Sequence, residues 1–288
     1  MITNLVGLAT VLLPMLYMVL WGSYLWFFFE ERSLARRWGR SLVGAVIVVH
    51  VGLVILRGQE LGRFPFGTPL ELASLLALSL TTIYIAIERV LKVRQTGVLI
   101  LGLAFVLQFL ASAFAEPSPT VSPLLNDPGY AIHAVLVLMA YTALSMGFLY
   151  ALLYGLLTRQ LEQRSFGLMF RRLPPLETLE RLSVSSVKIG VPLLFLALCG
   201  GHLWMYSLMD RLPPEQVASL SPFDPKVLTS WVILIVYSVG LIGHEHWGWR
   251  GRRMNRLAVI AWIVVVVALG VIHHAFPTFH DFNLRDGA

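Results

Sequence analysis

The chain has 288 residues, of which 57% are hydrophobic and only 13% are charged. A soluble domain of this size keeps roughly a quarter of its residues charged, so the composition excludes an ordinary soluble fold. The formal net charge is +6, but the basic residues are scattered over short segments between apolar blocks. This distribution argues against a nucleic-acid partner and indicates a protein embedded in a lipid bilayer.

The apolar residues fall into about eight blocks, several of them long enough to cross roughly 30 Å of hydrocarbon as a helix. The blocks are continuous, not alternating, which favours helices over the strands of a barrel. The sequence therefore predicts an all-α, polytopic transmembrane helical bundle that forms one integral-membrane domain over residues 1–288. The predicted helices cover about residues 5–28, 41–57, 70–88, 97–115, 132–157, 189–209, 227–243 and 257–276.

The distribution of Lys and Arg predicts the orientation, because cytoplasmic loops carry an excess of basic residues. Of the 22 Lys and Arg residues, 17 lie in four alternate loops and five lie on the opposite side. We therefore expect both termini on the non-cytoplasmic side of a bacterial inner membrane or an equivalent organelle membrane. The 17 residues are Arg32, Arg36, Arg37, Arg40, Arg89, Lys92, Arg94, Arg159, Arg164, Arg171, Arg172, Arg181, Lys188, Arg250, Arg252, Arg253 and Arg256.

Several kinds of chemistry have no motif in this sequence. There is no P-loop, no G-x-S-x-G, no HExxH and no dinucleotide fingerprint, so no catalytic residue is assigned and an enzyme is not favoured. Acidic residues are almost absent from the apolar blocks, which argues against an ion-coupled transporter. The single cysteine, Cys199, permits no internal disulfide, and without a CxxCH pair any haem is held without thioether links.

Histidine is the residue type that stands out. An intramembrane histidine is costly and is a functional hypothesis by default, and a pair of neutral imidazoles is a common way to hold haem iron. The alternative is that each histidine only hydrogen-bonds a neighbouring helix. Most of the eight lie in or beside apolar blocks: His50, His133, His202, His244, His246, His273, His274 and His280.

A haem held by two histidines needs both ligands at matching depth on facing helices. His133 lies near the outer start of the fifth predicted helix, and the eighth helix ends on the same side. Three further histidines lie near that end, which are His273, His274 and His280. We therefore expect an outer pair of His133 with one of these three. An inner pair of His50 and His244 is harder to align, because His50 lies ~14 Å from the inner end of its helix.

Polar residues at regular spacing indicate which helix faces point inward. Such stripes are more often helix–helix packing surfaces than ligand sites, and glycines in a helix permit close backbone approach. One stripe is Ser230, Tyr237 and His244, and another is His133, Val137, Tyr141 and Ser145. The glycines of the sixth predicted helix are Gly190, Gly200 and Gly201.

Several segments carry a resemblance to a known family through their order and spacing. They are GRFPFGTPLE at 62–71, PLLNDPGYAIHAVLVLMAYTAL at 123–144, PPLETLERLSVSSVKIGVPLLFLALCGG at 174–201, DPKVLTSW at 224–231, GHEHWGWRGRR at 243–253 and the final HHAFPTFHDF. Together they resemble the cytochrome c assembly family, which includes CcsA, CcmC and the HemX-like proteins. The resemblance implies haem handling, with haem b held non-covalently.

The resemblance also implies the ligand residues. By position, His133 corresponds to the family's first outer haem-ligand histidine. His280 corresponds to the final outer one and is favoured over His273 and His274. Either His244 or His246 corresponds to an inner-end histidine of helix seven.

Two further correspondences lie near the second helix. His50 corresponds to a histidine in the second helix of some members. In the family's G-x-x-P-x-x-N-x-x-E stretch, Thr68 replaces the usual Asn and Glu71 keeps the acid.

One segment departs from the family's pattern. The tryptophan-rich loop WGxxWxWD of the haem-presenting members is replaced here by MYSLMDRLPPEQVASLSPFDPK at 205–226. The chain therefore resembles the HemX-like branch, which lacks this loop.

Taken together, these features predict a membrane haem-binding protein involved in cytochrome c assembly. Its expected partners are haem, the lipid bilayer, and other membrane subunits or cytochrome c assembly proteins. One alternative is a non-catalytic structural or regulatory subunit that keeps the fold without the cofactor. Another is a b-type haem electron-transfer subunit, which requires two haems at matched inner and outer depths.

The orientation is tested with reporter fusions. Alkaline phosphatase folds only outside the cytoplasm, so we expect an active enzyme when it is fused after Ala288 and an inactive one when it is fused after Arg164. Green fluorescent protein at the same two positions is expected to give the opposite pattern. Active phosphatase after Arg164 would reverse the predicted topology.

Overall fold

The structure is a computed structural model that describes residues 2–30, 33–115, 123–212, 221 and 223–275. All regular structure in these residues is helical. The helices are α1 Ile2–Glu30, α2 Ser33–Leu61, α3 Pro69–Leu91, α4 Gly97–Ala113, α5 Pro128–Glu162, α6 Leu168–Arg172, α7 Leu176–Met209, α8 Pro225–His246 and α9 Arg252–Ala275.

Within the described residues, eight helices are long and apolar enough to cross a membrane. Each overlaps one of the predicted blocks, so the all-α transmembrane class is confirmed. The sides on which the termini lie and the single domain over residues 1–288 stay predictions. The largest boundary difference is in α7, which begins at Leu176 and not near residue 189, because the helix continues through a polar stretch that hydropathy alone does not include.

Three of the membrane helices begin with the same kind of N-cap. Thr68, Asp127 and Asp224 each accept a hydrogen bond from a backbone N–H in the first turn of the helix that follows. A proline comes next in each case, where its missing N–H removes no helical hydrogen bond. These cap–proline pairs explain why α3, α5 and α8 begin where they do.

The described residues form two compact units, here called unit 1 (Met1–Ser118 with Leu156–Leu179) and unit 2 (Pro119–Gly155 with Glu180–Ala288). In unit 1, α1 packs against α2 and α4, and α3 packs against α4. In unit 2, buried side chains of α5, α7, α8 and α9 form one apolar cluster around residues such as Leu144, Leu194 and Tyr237.

The turn between α2 and α3 is held by a buried ion pair. The Nη1 and Nη2 atoms of Arg63 donate to the two oxygens of the Glu71 carboxylate, at 2.8 and 3.1 Å. The same carboxylate accepts from the backbone N–H of Gly67 and of Thr68, which completes a capping box with the Thr68 hydroxyl. Thr68 thus caps α3 at the position where the family pattern has Asn, which is also a favourable N-cap residue.

We expect Glu71→Ala to lower the free energy of unfolding by about 3–5 kcal/mol, because it leaves the Arg63 guanidinium buried without its partner. Thr68→Ala, which removes only the cap, is expected to cost about 1 kcal/mol. Unfolding in mixed micelles measures both. The control is Glu245→Ala, since Glu245 pairs with Lys188 where both side chains are half exposed and water screens the pair. A loss for Glu71→Ala no larger than for the control would contradict the structural role of this pair.

Candidate functional site

His133 lies in the second turn of α5, and the start of this helix is tied to the end of α7. The Asp127 carboxylate accepts from the backbone N–H of Gly129, from the Trp204 indole at 3.0 Å and from the Arg211 guanidinium at 3.0 Å. The Trp204 ring also packs against Tyr130, with ring centroids 5.4 Å apart. These contacts position the helix end that carries His133.

The His133 ring is oriented by the backbone of α7. Its Nδ1 lies 2.8 Å from the Ala197 carbonyl oxygen, and because a carbonyl only accepts, Nδ1 carries the proton. A neutral imidazole in this tautomer has its lone pair on Nε2, which is the arrangement that metal-binding histidines adopt when a backbone carbonyl holds the other nitrogen. His133 therefore has the tautomer of an Nε2 metal ligand.

Gly201 provides the space that this arrangement needs. A Cβ added at Gly201 would lie 2.7 Å from His133 Nδ1, which is closer than van der Waals contact permits. At the adjacent Gly200, an added Cβ would meet nothing within 4 Å. The close approach of the ring to α7 thus depends on one glycine of the pair and not on the other.

The remaining predicted outer ligands are not described in the same detail. His273 and His274 belong to the last turn of α9, but their side chains are not described. His280 lies outside the described residues. The pairing of His133 with any of these three stays a prediction.

His50, in unit 1, has both ring nitrogens engaged. Nδ1 lies 2.9 Å from the Tyr17 hydroxyl and Nε2 lies 3.0 Å from the Ser74 hydroxyl, and the ring is fully buried. Ser74 in turn donates to the Gln108 side chain, which donates to Ser112. Coordination of iron by His50 would therefore require one of these hydrogen bonds to be given up.

His244 organises the turn between α8 and α9. Its Nδ1 lies 2.9 Å from the Trp249 carbonyl oxygen, and the Trp249 N–H bonds back to the Gly243 carbonyl. His246, two residues further on, is exposed at the end of α8. In the described part of the chain, no group of three or more His, Cys, Asp or Glu side chains suits a metal ion.

Two side-chain contacts in unit 2 involve His202 and Trp262, to which the sequence assigned no role. His202 donates to its own helix at the Leu198 carbonyl and packs edge-on against Trp231, with ring centroids 5.8 Å apart. The Trp262 indole donates to the Ser145 hydroxyl. The stripe containing Ser145 is thus a helix–helix packing surface at this position, as its spacing indicated.

Most of the chain is similar in sequence to known proteins. The family model for Cytochrome C assembly protein matches residues 66–274. The chain is similar to inner membrane protein YpjD of Escherichia coli (strain K12), with 32% identity over 237 residues that cover 80% of this chain and 84% of the relative.

Two other relatives have lower identity and similar coverage. Protein HemX of Brevibacillus brevis is 24% identical over 91% of this chain and 94% of its own length. The cytochrome c biogenesis protein CcsA of Prochlorococcus marinus (strain MIT 9303) is 26% identical over 83% of this chain and 84% of its own length.

A double-mutant cycle tests whether the His50 contacts form a coupled network. Tyr17→Phe and His50→Leu each leave a buried partner without its hydrogen bond, so each is expected to cost about 1–3 kcal/mol of unfolding free energy. The double variant is expected to cost less than the sum, because both partners are then absent. Thr82→Ala, on an exposed face of α3, is the control and is expected to change little. Strict additivity would contradict the coupling.

Proposed function

We propose that this chain, which belongs to the cytochrome c assembly protein family, binds haem b non-covalently at the end of unit 2 that carries His133 and acts in cytochrome c biogenesis. The observation that carries the proposal is the hydrogen bond from His133 Nδ1 to the Ala197 carbonyl. Family membership supports the biogenesis role, since a relative carries the name cytochrome c biogenesis protein.

The residues around His133 would allow its imidazole to bind haem iron. The Ala197 carbonyl holds the ring in the Nδ1–H tautomer, which has its lone pair on Nε2, and imidazole nitrogen is a common ligand of haem iron. Gly201 keeps the ring against α7, and the Asp127 contacts with Trp204 and Arg211 hold the helix start in place. When bound, haem supplies a redox-active iron centre, and the role of these residues is to bind and orient it.

His280 is proposed as the second outer ligand, with His273 and His274 as the alternatives. The family resemblance supports His280, and the depth expected for the end of α9 supports all three. The excess of basic residues in the alternate loops supports an outer location for this end of the bundle. Haem and other assembly proteins of the same membrane are the proposed partners.

An inner haem held by His50 with His244 or His246 has weaker support. His50 is buried with both nitrogens hydrogen-bonded, and His244 holds the turn that follows α8. The same contacts favour the second candidate function, a structural or regulatory subunit whose histidines serve helix packing. A two-haem electron-transfer subunit would need both inner ligands and is disfavoured on this ground.

Haem content tests the proposal. We expect protein purified from haem-replete cells to give a pyridine haemochrome spectrum, and His133→Gln to lose it, because glutamine can still donate to the Ala197 carbonyl but does not bind iron. Gly201→Ala is expected to weaken haem binding by about tenfold or more, since the added methyl group displaces the oriented ring. Imidazole added to His133→Gly is expected to restore the spectrum.

Two matched controls separate ligation from folding. Gly200→Ala adds a methyl group where nothing lies within 4 Å, and His202→Gln removes a histidine that packs on Trp231. Both are expected to keep haem. Absence of haem from the wild-type protein, together with its recovery in a stable complex with other subunits, would favour the structural role instead.

A further inference from the structure

A groove of about 630 Å³ runs between α8 and α9 in unit 2. Val232, Val236, Ile260 and Val264 line its rims and are exposed at the surface. These residues lie in membrane-spanning helices, so the groove opens where the protein meets hydrocarbon. An apolar molecule of the bilayer therefore has direct access to it.

Glycines shape the groove. An added Cβ at Gly240 would lie 2.8 Å from Leu257, so the two helices approach closely behind the groove. The Trp249 ring folds onto Gly243, and Trp249 lines the groove near the turn between the helices. Trp249 thus lines the end of the groove that lies near this turn.

Two arginines stand at that end. Arg253 and Arg256 both line the groove and lie one turn apart on the same face of α9. Both are exposed, and neither forms an ion pair or hydrogen bond with any residue that the structure describes. The acidic side chains near this turn are engaged elsewhere, because Glu245 pairs with Lys188 and Glu180 accepts from the Gly251 N–H. The groove thus ends in two uncompensated positive charges.

The length of the groove limits its occupant. From Arg253 to Val264 the helix rises about 16 Å at 1.5 Å per residue, which is close to half of the roughly 30 Å hydrocarbon core. The charged end and the apolar walls therefore span one leaflet.

We propose that this groove is a binding site for an anionic glycerophospholipid, with the phosphate at Arg253 and Arg256 and an acyl chain along the apolar walls. Basic pockets between transmembrane helices bind anionic headgroups in this way. An apolar transmembrane helix of a partner protein fits less well, because it would leave the two arginines without an anionic partner.

Native mass spectrometry of the full chain, titrated with phosphatidylglycerol or phosphatidylcholine in detergent, tests the site. We expect the protein to bind phosphatidylglycerol in preference to phosphatidylcholine. The double variant Arg253→Gln/Arg256→Gln is expected to bind phosphatidylglycerol roughly thirtyfold more weakly, which corresponds to about 1 kcal/mol of binding free energy for each arginine. Arg89→Gln/Arg250→Gln removes the same charge from exposed positions outside the groove and is expected to bind as the wild type does.

A second pair of variants tests the apolar walls. Ile260→Trp is expected to fill the groove and to lower phosphatidylglycerol binding, whereas Ile263→Trp, exposed but outside the groove, is expected to leave it unchanged. Equal affinity for the two lipids, an equal loss in the Arg89/Arg250 control, or no effect of Ile260→Trp would overturn the proposal. Loss of haem from the Arg253/Arg256 variant would identify the occupant as a porphyrin and would also overturn it.

Discussion

Polar groups inside hydrocarbon must find partners within the protein, and this constraint governs the arrangement of the described helices. An unpaired polar group in lipid costs several kcal/mol, because no water can replace the lost hydrogen bond. His50, Ser74 and Gln108 satisfy the constraint by linking α2, α3 and α4 in one chain of hydrogen bonds. The positions of these polar side chains therefore specify how the apolar helices of unit 1 rotate toward each other.

Because of the same constraint, the histidines differ in their hydrogen-bond partners and therefore in the roles that suit them. His50 uses both ring nitrogens on protein hydroxyls, which suits a packing role. His133 directs its protonated nitrogen to a backbone carbonyl, which sets the tautomer that suits ligation through the other nitrogen. His244 uses a carbonyl of the turn after its own helix. Residue type alone does not distinguish these roles, whereas the hydrogen-bond partner does.

Glycines decide where close packing creates a site. Gly201 admits the His133 ring against α7, and Gly240 and Gly243 shape the groove between α8 and α9. In each case the absence of a Cβ permits contact that no other residue allows.

The sequence by itself determined the membrane class, the eight spans, the family and the position of His133 near a helix start. Hydropathy, helical period and cap–proline pairs are local signals, so they are readable without coordinates. It did not reveal that His133 bonds to Ala197, that Gly201 and not Gly200 makes the space for its ring, or that Arg253 and Arg256 line one apolar groove. Only the tertiary structure decided these features, because they depend on the rotation and register of helices whose residues are distant along the chain.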